Sequence, residues 1–308
     1  MGYGFSLVVR GRDATPETFV EVAQKAEASD LDALWLSAHV IVPPQVKSGY
    51  SMVPDLPHPP HWKEGYWEPF TICAYLAALT QRITLGTSVL VLPQHNPFEV
   101  AKQVAEIDQL SNGRFVLGVG VGWFEEEFEV LGQDFKTRGA RTDDALRLMK
   151  RLWADDPVTY DGRFYRCEDA YFAPKPVSKP HPPLMVAGGG KPAWRRAAKF
   201  ADAFHPVRVK PDSIEMMATE IAKQCERFGR PTDAVKMTVK LPMSFKDEAP
   251  SGNDFATQGR ARDIVDGIKR YRDAGVEDFT FDVVPEARAN LLGTMERFVQ
   301  DVRPYLES

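Results

Sequence analysis

Short runs of β-forming residues alternate with longer stretches of helical periodicity from one end of the chain to the other, and this alternation limits the fold more than any other feature. Strands separated by helices are expected to be parallel, because a parallel connection needs a crossover of about a dozen residues or more. The runs at 3–9, 33–37, 83–91, 114–120, 183–188, 202–206, 235–243 and 277–284 read as strands. Eight such strands can close into a ring, and a length of 308 residues suits one α/β (β/α)8 TIM barrel, which takes roughly 250 residues plus insertions. Helix boundaries agree. Thr15 caps a helix with Pro16 at its first position and Phe19, Val22, Ala23 and Ala26 on one face, and Asn96-Pro97 repeats the device. Ile264, Ile268 and Tyr271 line another helix that stops at Gly275, and Leu291, Met295, Phe298 and Val299 mark the last one. A single domain over residues 1–308 is expected.

Two connections exceed what a barrel needs. Residues 40–67 follow the second strand and carry many prolines with Tyr50, Trp62, Tyr66 and Trp67. This segment reads either as a lid over an apolar ligand at the catalytic end or as an excursion packed on the outer helices. Residues 155–180, between strands four and five, contain Val158 to Tyr165, where Asp161-Gly162 between aromatic β-formers predicts a hairpin.

The formal net charge of −5, without any block of basic residues, argues against a nucleic-acid or anionic-membrane surface and favours a small-molecule ligand. No apolar run approaches the roughly 20 residues of a membrane span, and the strand-like start at Phe5 to Val9 has no signal-peptide pattern, so the chain reads as cytoplasmic. Cys73, Cys167 and Cys225 lie too far apart for a metal or redox pair and read as free thiols.

Several motifs carry candidate chemistry. Gly118-Val119-Gly120-Val121-Gly122-Trp123 follows a strand but puts Trp123 where a dinucleotide fingerprint needs glycine. Its glycines allow either close approach of a planar ligand to the main chain or a tight turn. Gly188-Gly189-Gly190 lies between a strand and a helix, where bare amides at a helix N-terminus can bind phosphate; a structural turn is the alternative. Met185 and Pro192 rule out a Walker A loop. His39 ends the second strand, where a barrel displays catalytic groups, and imidazole exchanges protons near neutral pH; a satisfied structural histidine is the alternative. His58-Pro59-Pro60-His61 with Glu64 is not expected to bind metal, because the prolines prevent a helix that would align the ligands. Glu125-Glu126-Glu127 reads as a solvated acidic face opening a helix.

Taken together, Leu85 to Leu90, Asn96-Pro97, Leu110 to Phe115, Gly118 to Trp123, Tyr160 to Tyr165, Pro174-Lys175-Pro176 and the Gly188–Gly190 turn, followed by Ala197-Ala198 and Ala201-Asp202, resemble the luciferase-like monooxygenase family. The resemblance runs in order over nearly the whole chain. It implies a (β/α)8 barrel that holds reduced FMN or the deazaflavin coenzyme F420. The tricyclic ring would lie near Ser88, Val89, Gly120, Gly122 and Trp123, and the phosphate at Gly188, Gly189 and Gly190. Ser88-Val89 matches a position where relatives carry a cis peptide beneath the ring. His39 would be the acid/base or substrate-orienting group. The glycine pattern and compact length look closest to the deazaflavin-dependent subgroup. Two departures stand out: Ala38 replaces an Asp found before the histidine in many deazaflavin relatives, and Trp123 replaces an acidic proton donor found in some. They leave His39 as the only proton-transfer candidate. The resemblance thus implies hydride transfer from reduced F420 to a small organic substrate. The alternatives are an FMNH2-dependent monooxygenase served by a separate flavin reductase, and a non-catalytic flavin-binding protein. Relatives are often dimers, which suggests a homodimer by analogy.

Overall fold

The computed structural model describes residues 2–43, 65–252, 255–283 and 285–307. Along the chain run β1 (Gly2–Ser6), α1 (Pro16–Ala28), β2 (Ala33–Leu36), α2 (Pro69–Leu79), β3 (Thr84–Thr87), β4 (Leu90–Val91), α3 (Pro97–Leu110), β5 (Phe115–Gly120), α4 (Glu125–Val130) and α5 (Arg138–Ala154). There follow β6 (Val158–Asp161), β7 (Arg166–Ala170), β8 (Leu184–Ala187), α6 (Gly190–Phe200), β9 (Ala203–His205), α7 (Pro211–Arg227), β10 (Lys236–Phe245), β11 (Gln258–Gly259), α8 (Ala261–Asp273), β12 (Val276–Val283) and α9 (Arg288–Arg297).

Eight parallel strands form the barrel in the order β1-β2-β3-β5-β8-β9-β10-β12, with β12 pairing back on β1. All eight coincide with the runs read from the sequence. The 202–206 run, the shortest, is the strand whose pairing with β10 completes the ring, through Lys236 opposite Ala203 and Met237 opposite Phe204. The sequence run at 83–91 is one strand broken in the middle: β3 pairs with β5, the Ser88–Val89 peptide is cis as the resemblance implied, and β4 resumes pairing with β5. Residues 158–170 form an antiparallel pair, β6 with β7, outside the barrel. Among the described residues, no helix is long and apolar enough to cross a membrane.

Helix starts follow local chemistry. The Thr15 hydroxyl accepts from Thr18 N and the Asn96 side chain from Phe98 N, as expected; Glu68 caps α2 in the same way. Outward-facing strand residues such as Phe5, Leu34, Leu85, Phe115, Leu117, Phe204, Val239 and Phe281 are fully buried against the helix ring. The inward face alternates with them and is filled differently. Trp35 projects into the barrel, where a β-carbon on Gly4 would come within 2.6 Å of its Nε1 and one on Gly86 within 2.5 Å of its Cζ3. Those two neighbouring strands therefore carry glycine so that one indole can occupy the interior.

The ends of the elements are tied by two polar residues. Arg114, from the Ser-Asn-Gly-Arg run, donates to Ile83 O (2.7 Å), Thr80 O (3.0 Å) and Ala77 O (3.1 Å), joining the base of β5 to the end of α2. Asp108 is fully buried and accepts from Ser178 N (2.8 Å) and Ser178 Oγ (2.7 Å), fastening the 155–180 insertion to α3.

Gly118 tests how tight this packing is. It accepts a hydrogen bond from the Thr87 hydroxyl and donates one back to it, at 2.7 and 3.0 Å, and a β-carbon there would collide with the Thr87 carbonyl oxygen. Gly118→Ala should cost about 2–3 kcal/mol of stability by overpacking against immovable backbone. Thermal and denaturant unfolding of the variant check this, and an unchanged midpoint would contradict it.

Candidate active site

The C-terminal ends of the barrel strands converge on a mouth lined by polar side chains. His39 follows β2, and its Nδ1 lies 2.8 Å from Glu127 Oε2. The other Glu127 oxygen accepts from Val40 N (2.7 Å) and Ile41 N (3.2 Å). The carboxylate accepts, so Nδ1 carries the proton, and in the neutral ring the lone pair falls on Nε2. Tyr66, Trp123 and Phe124 surround the imidazole, with ring centroids at 4.9, 6.4 and 6.0 Å. Burial alone would raise the Glu127 carboxyl, but the hydrogen bond and charge of His39, with the Val40 amide, hold it below the usual carboxylate range.

This corrects the solvated reading of the Glu125 to Glu127 run at Glu127, while Glu125 is exposed as expected. The Glu127 side chain is 0% exposed. The signal was present in the spacing: Phe124, Glu127 and Phe128 stand at i, i+3 and i+4, which puts the carboxylate on the buried side of α4 with two aromatic rings. His39 is thus not the only ionisable group at the end of β2; it is held by a carboxylate from the segment after β5.

A second polar layer crosses the barrel just beneath the mouth, and of its members only Ser88 was singled out in the sequence. The Thr238 hydroxyl donates to Phe204 O (3.1 Å), so it accepts from His205 Nδ1 at 2.6 Å, and Nε2 in turn accepts from Ser88 Oγ at 3.1 Å. Lys240 Nζ donates to Ser88 O (3.2 Å) and lies 3.2 Å from Asp282 Oδ1. Burial would raise the Asp282 carboxyl, but the Lys240 ammonium holds it low. Lys240 and Asp282 each interrupt an apolar run, Val239-Lys240-Leu241 and Phe281-Asp282-Val283, and period-two alternation turns them inward. Nearby, Arg10 pairs with Glu286 and with the Tyr66 hydroxyl.

Among the described residues, six buried side-chain polar atoms have no well-aligned hydrogen-bond partner, and four of them lie near the mouth: Ser6 Oγ, Arg10 Nε and both amide atoms of Gln94, with Ser6 still close enough to act on the Asp282 carboxyl and Gln94 on that of Glu127. Buried polar groups usually find partners, so these side chains have hydrogen-bonding capacity left over at the mouth.

The sequence-derived cofactor residues divide by role. Ser88 lies in the polar layer and Val89 on the bulge between β3 and β4. A β-carbon at Gly120 would come within 2.9 Å of Val89 Cγ2, and one at Gly122 within 2.6 Å of Val91 Cγ1, so these glycines seat the bulge. Trp123 stacks on Phe124 at 5.1 Å, beside His39. Gly188 (φ +138°) and Gly190 (φ +74°) occupy backbone conformations closed to most side chains, whereas Gly189 (φ −109°) does not. They open α6 with no side-chain cap, leaving the first-turn amides to another acceptor. His58, His61, Glu64, Tyr50, Trp62 and most of the 40–67 segment lie outside the described residues; Tyr66 and Trp67 lie within them, and Trp67 Nε1 donates to Ala14 O (2.9 Å). Among the described residues no group of three or more His, Cys, Asp or Glu could hold a metal ion.

Comparison with known proteins matches residues 4–251 to the family model described as luciferase-like monooxygenase. A protein of Amycolatopsis mediterranei named F420-dependent glucose-6-phosphate dehydrogenase is 30% identical over 239 residues, covering 75% of this chain and 66% of that one. A Pseudomonas putida protein named FMNH(2)-dependent dimethylsulfone monooxygenase is 30% identical over 183 residues, covering 58% of this chain and 49% of that one. The crystal structure of a monooxygenase from Streptomyces bottropensis superposes with a TM-score of 0.80 at 18% identity, covering 99% of both chains, and shares the barrel fold.

The buried His205 gives a pH signature. Burial, with the Lys240 charge adding to it, lowers its pKa from 6.5 to about 3. The folded-state value of this base is depressed, so between those two values the unfolded chain binds a proton that the folded chain does not. Its contribution to stability is therefore complete above pH 6.5 and is lost as pH falls through the window toward 3. Unfolding midpoints of His205→Gln should fall less steeply across that range than those of the unaltered protein, and equal slopes would contradict the assignment.

Proposed function

The chain belongs to the luciferase-like monooxygenase family, whose members are flavin- or F420-dependent oxidoreductases and monooxygenases, and on that premise we propose that it uses coenzyme F420 for hydride transfer involving a small organic substrate. The observation that carries this reading is the His39–Glu127 pair at the rim of the barrel, 2.8 Å apart and set among aromatic rings. A bound deazaflavin supplies or accepts the hydride. The matching proton moves at His39 Nε2, which gives it to a substrate oxygen or carbon in one direction and takes it in the other. Glu127 positions the ring by holding Nδ1–H and balances the positive charge of the protonated imidazole. The α6 amides at Gly189 and Gly190 suit the cofactor phosphate. The side chains of Ser6, Arg10 and Gln94 offer further hydrogen bonds to the polar edge of the ring or the substrate. Trp123, Phe124 and Tyr66 make the remaining wall apolar and exclude water from the reacting atoms.

His39→Ala should slow the chemical step about 100- to 10,000-fold while leaving cofactor affinity nearly unchanged. Glu127→Gln keeps the shape but loses the charge, and should slow the same step about 100-fold with a shifted pH–rate profile. Single-turnover kinetics separate binding from chemistry. A wild-type rate for His39→Ala would remove the proton carrier from the reading.

Competitive titration with F420 and FMN, followed by turnover with and without oxygen, tests the cofactor. The deazaflavin should bind more tightly and substrate reduction should proceed anaerobically. Gly189→Val, at a position whose backbone accepts valine, should weaken cofactor binding without unfolding the chain. Preference for FMN together with incorporation of one oxygen atom per turnover would instead establish an FMNH2-dependent monooxygenase in the same barrel.

A further inference from the structure

Away from the mouth, the groove between α6 and α7 is lined by Lys191, Trp194 and Arg195 on one side and Glu220, Lys223 and Arg227 on the other, around a volume of about 360 Å³. Four cations surround one carboxylate there, in a chain whose net charge is −5. Their spacing is regular. Lys191 and Arg195 stand at i and i+4 on α6, and Lys223 and Arg227 repeat that interval on α7, so each helix presents a row one turn long. Lys223 is paired with Glu220 at 2.8 Å. The hydrogen bond and charge of Lys223 hold the Glu220 carboxyl below the usual carboxylate range, and Lys191 and Arg227 add to the effect, so these cations act on a common space. Neither Lys191 nor Arg227 has a hydrogen-bond or ion-pair partner of its own among the described residues. Trp194 adds a buried indole N–H with no acceptor.

The position of the groove says what it is for. Lys191 directly follows Gly190, so the basic rows begin where the glycine turn ends. We propose that the groove receives the carboxylate tail of the cofactor, continuing outward from the phosphate. The proposal rests on the deazaflavin reading, because coenzyme F420 carries a chain of glutamates beyond its phosphate whereas FMN ends at the phosphate. A flexible string of carboxylates is held by positive charges repeated along a path, and Arg195 and Arg227 add planar forks that match carboxylate geometry.

The test is equilibrium titration with three probes: F420 carrying several glutamates, the phosphorylated deazaflavin without glutamates, and FMN. Exposed ion pairs are individually weak, so the unaltered protein should prefer the tailed over the tail-less deazaflavin by about tenfold at low salt, and less as salt rises. The Lys191→Gln/Arg227→Gln double variant should lose most of that preference while binding the tail-less form as before. Glu220→Gln should bind the tailed form several-fold more tightly, a gain that damage to the fold cannot produce. Tight binding of the deazaflavin without dependence on tail length overturns the groove assignment and leaves the cofactor reading intact. Failure of both deazaflavins to bind, with FMN bound tightly, overturns both.

Discussion

The ring of parallel strands closes where β9 meets β10, and the polar architecture of the mouth depends on that closure. Pairing continues past the strand proper, with Arg208 N donating to Lys240 O at 2.8 Å, and across the next ladder Lys240 faces Thr280 while Asp282 faces Pro242, so His205, Lys240 and Asp282 rise in steps along the inner wall. Their partners come from the opposite wall, where Ser88 supplies a hydroxyl to His205 and a carbonyl to Lys240. An open sheet would leave β3 and β10 at a distance. Only a closed barrel brings them across a shared interior, so the polar layer serves as a cross-brace as well as a floor.

Two carboxylates are held near the mouth under different conditions. Glu127 is fully buried and its oxygens are saturated by one imidazole and two backbone amides, which makes it a fixed anchor. Lys240 and Asp282 are less completely enclosed, with side chains 10% and 27% exposed, and Asp282 is the member in reach of solvent. The first arrangement suits orientation of a single ring. In the second, the Lys240 charge reinforces burial in keeping His205 neutral, while Asp282 opposes it.

The fold was largely legible in the sequence because strands buried on both faces are compact apolar runs, and the helices between them start at Thr15-Pro16 and Asn96-Pro97 and end at residues such as Gly275. The site was legible only where position alone identified a residue, as with His39 at the end of β2. Glu127 was hidden in a run of three identical residues, where composition suggests solvent and only the helical angle reveals the core. Lys240, Asp282 and His205 were hidden for the converse reason: a lone polar residue in an apolar strand looks like an interruption until the barrel is closed and its inward face is known. Several residues that carry the family resemblance turn out to hold the scaffold. Arg114 ties strand ends to helix ends, and Gly120 and Gly122 make room for valines.

Trp35 has a consequence for traffic. With its indole across the interior, lodged between Gly4 and Gly86 and stacked on His205 at 6.2 Å, the barrel is a cup and not a tube. A cup has one rim, so every molecule that enters must leave by the way it came.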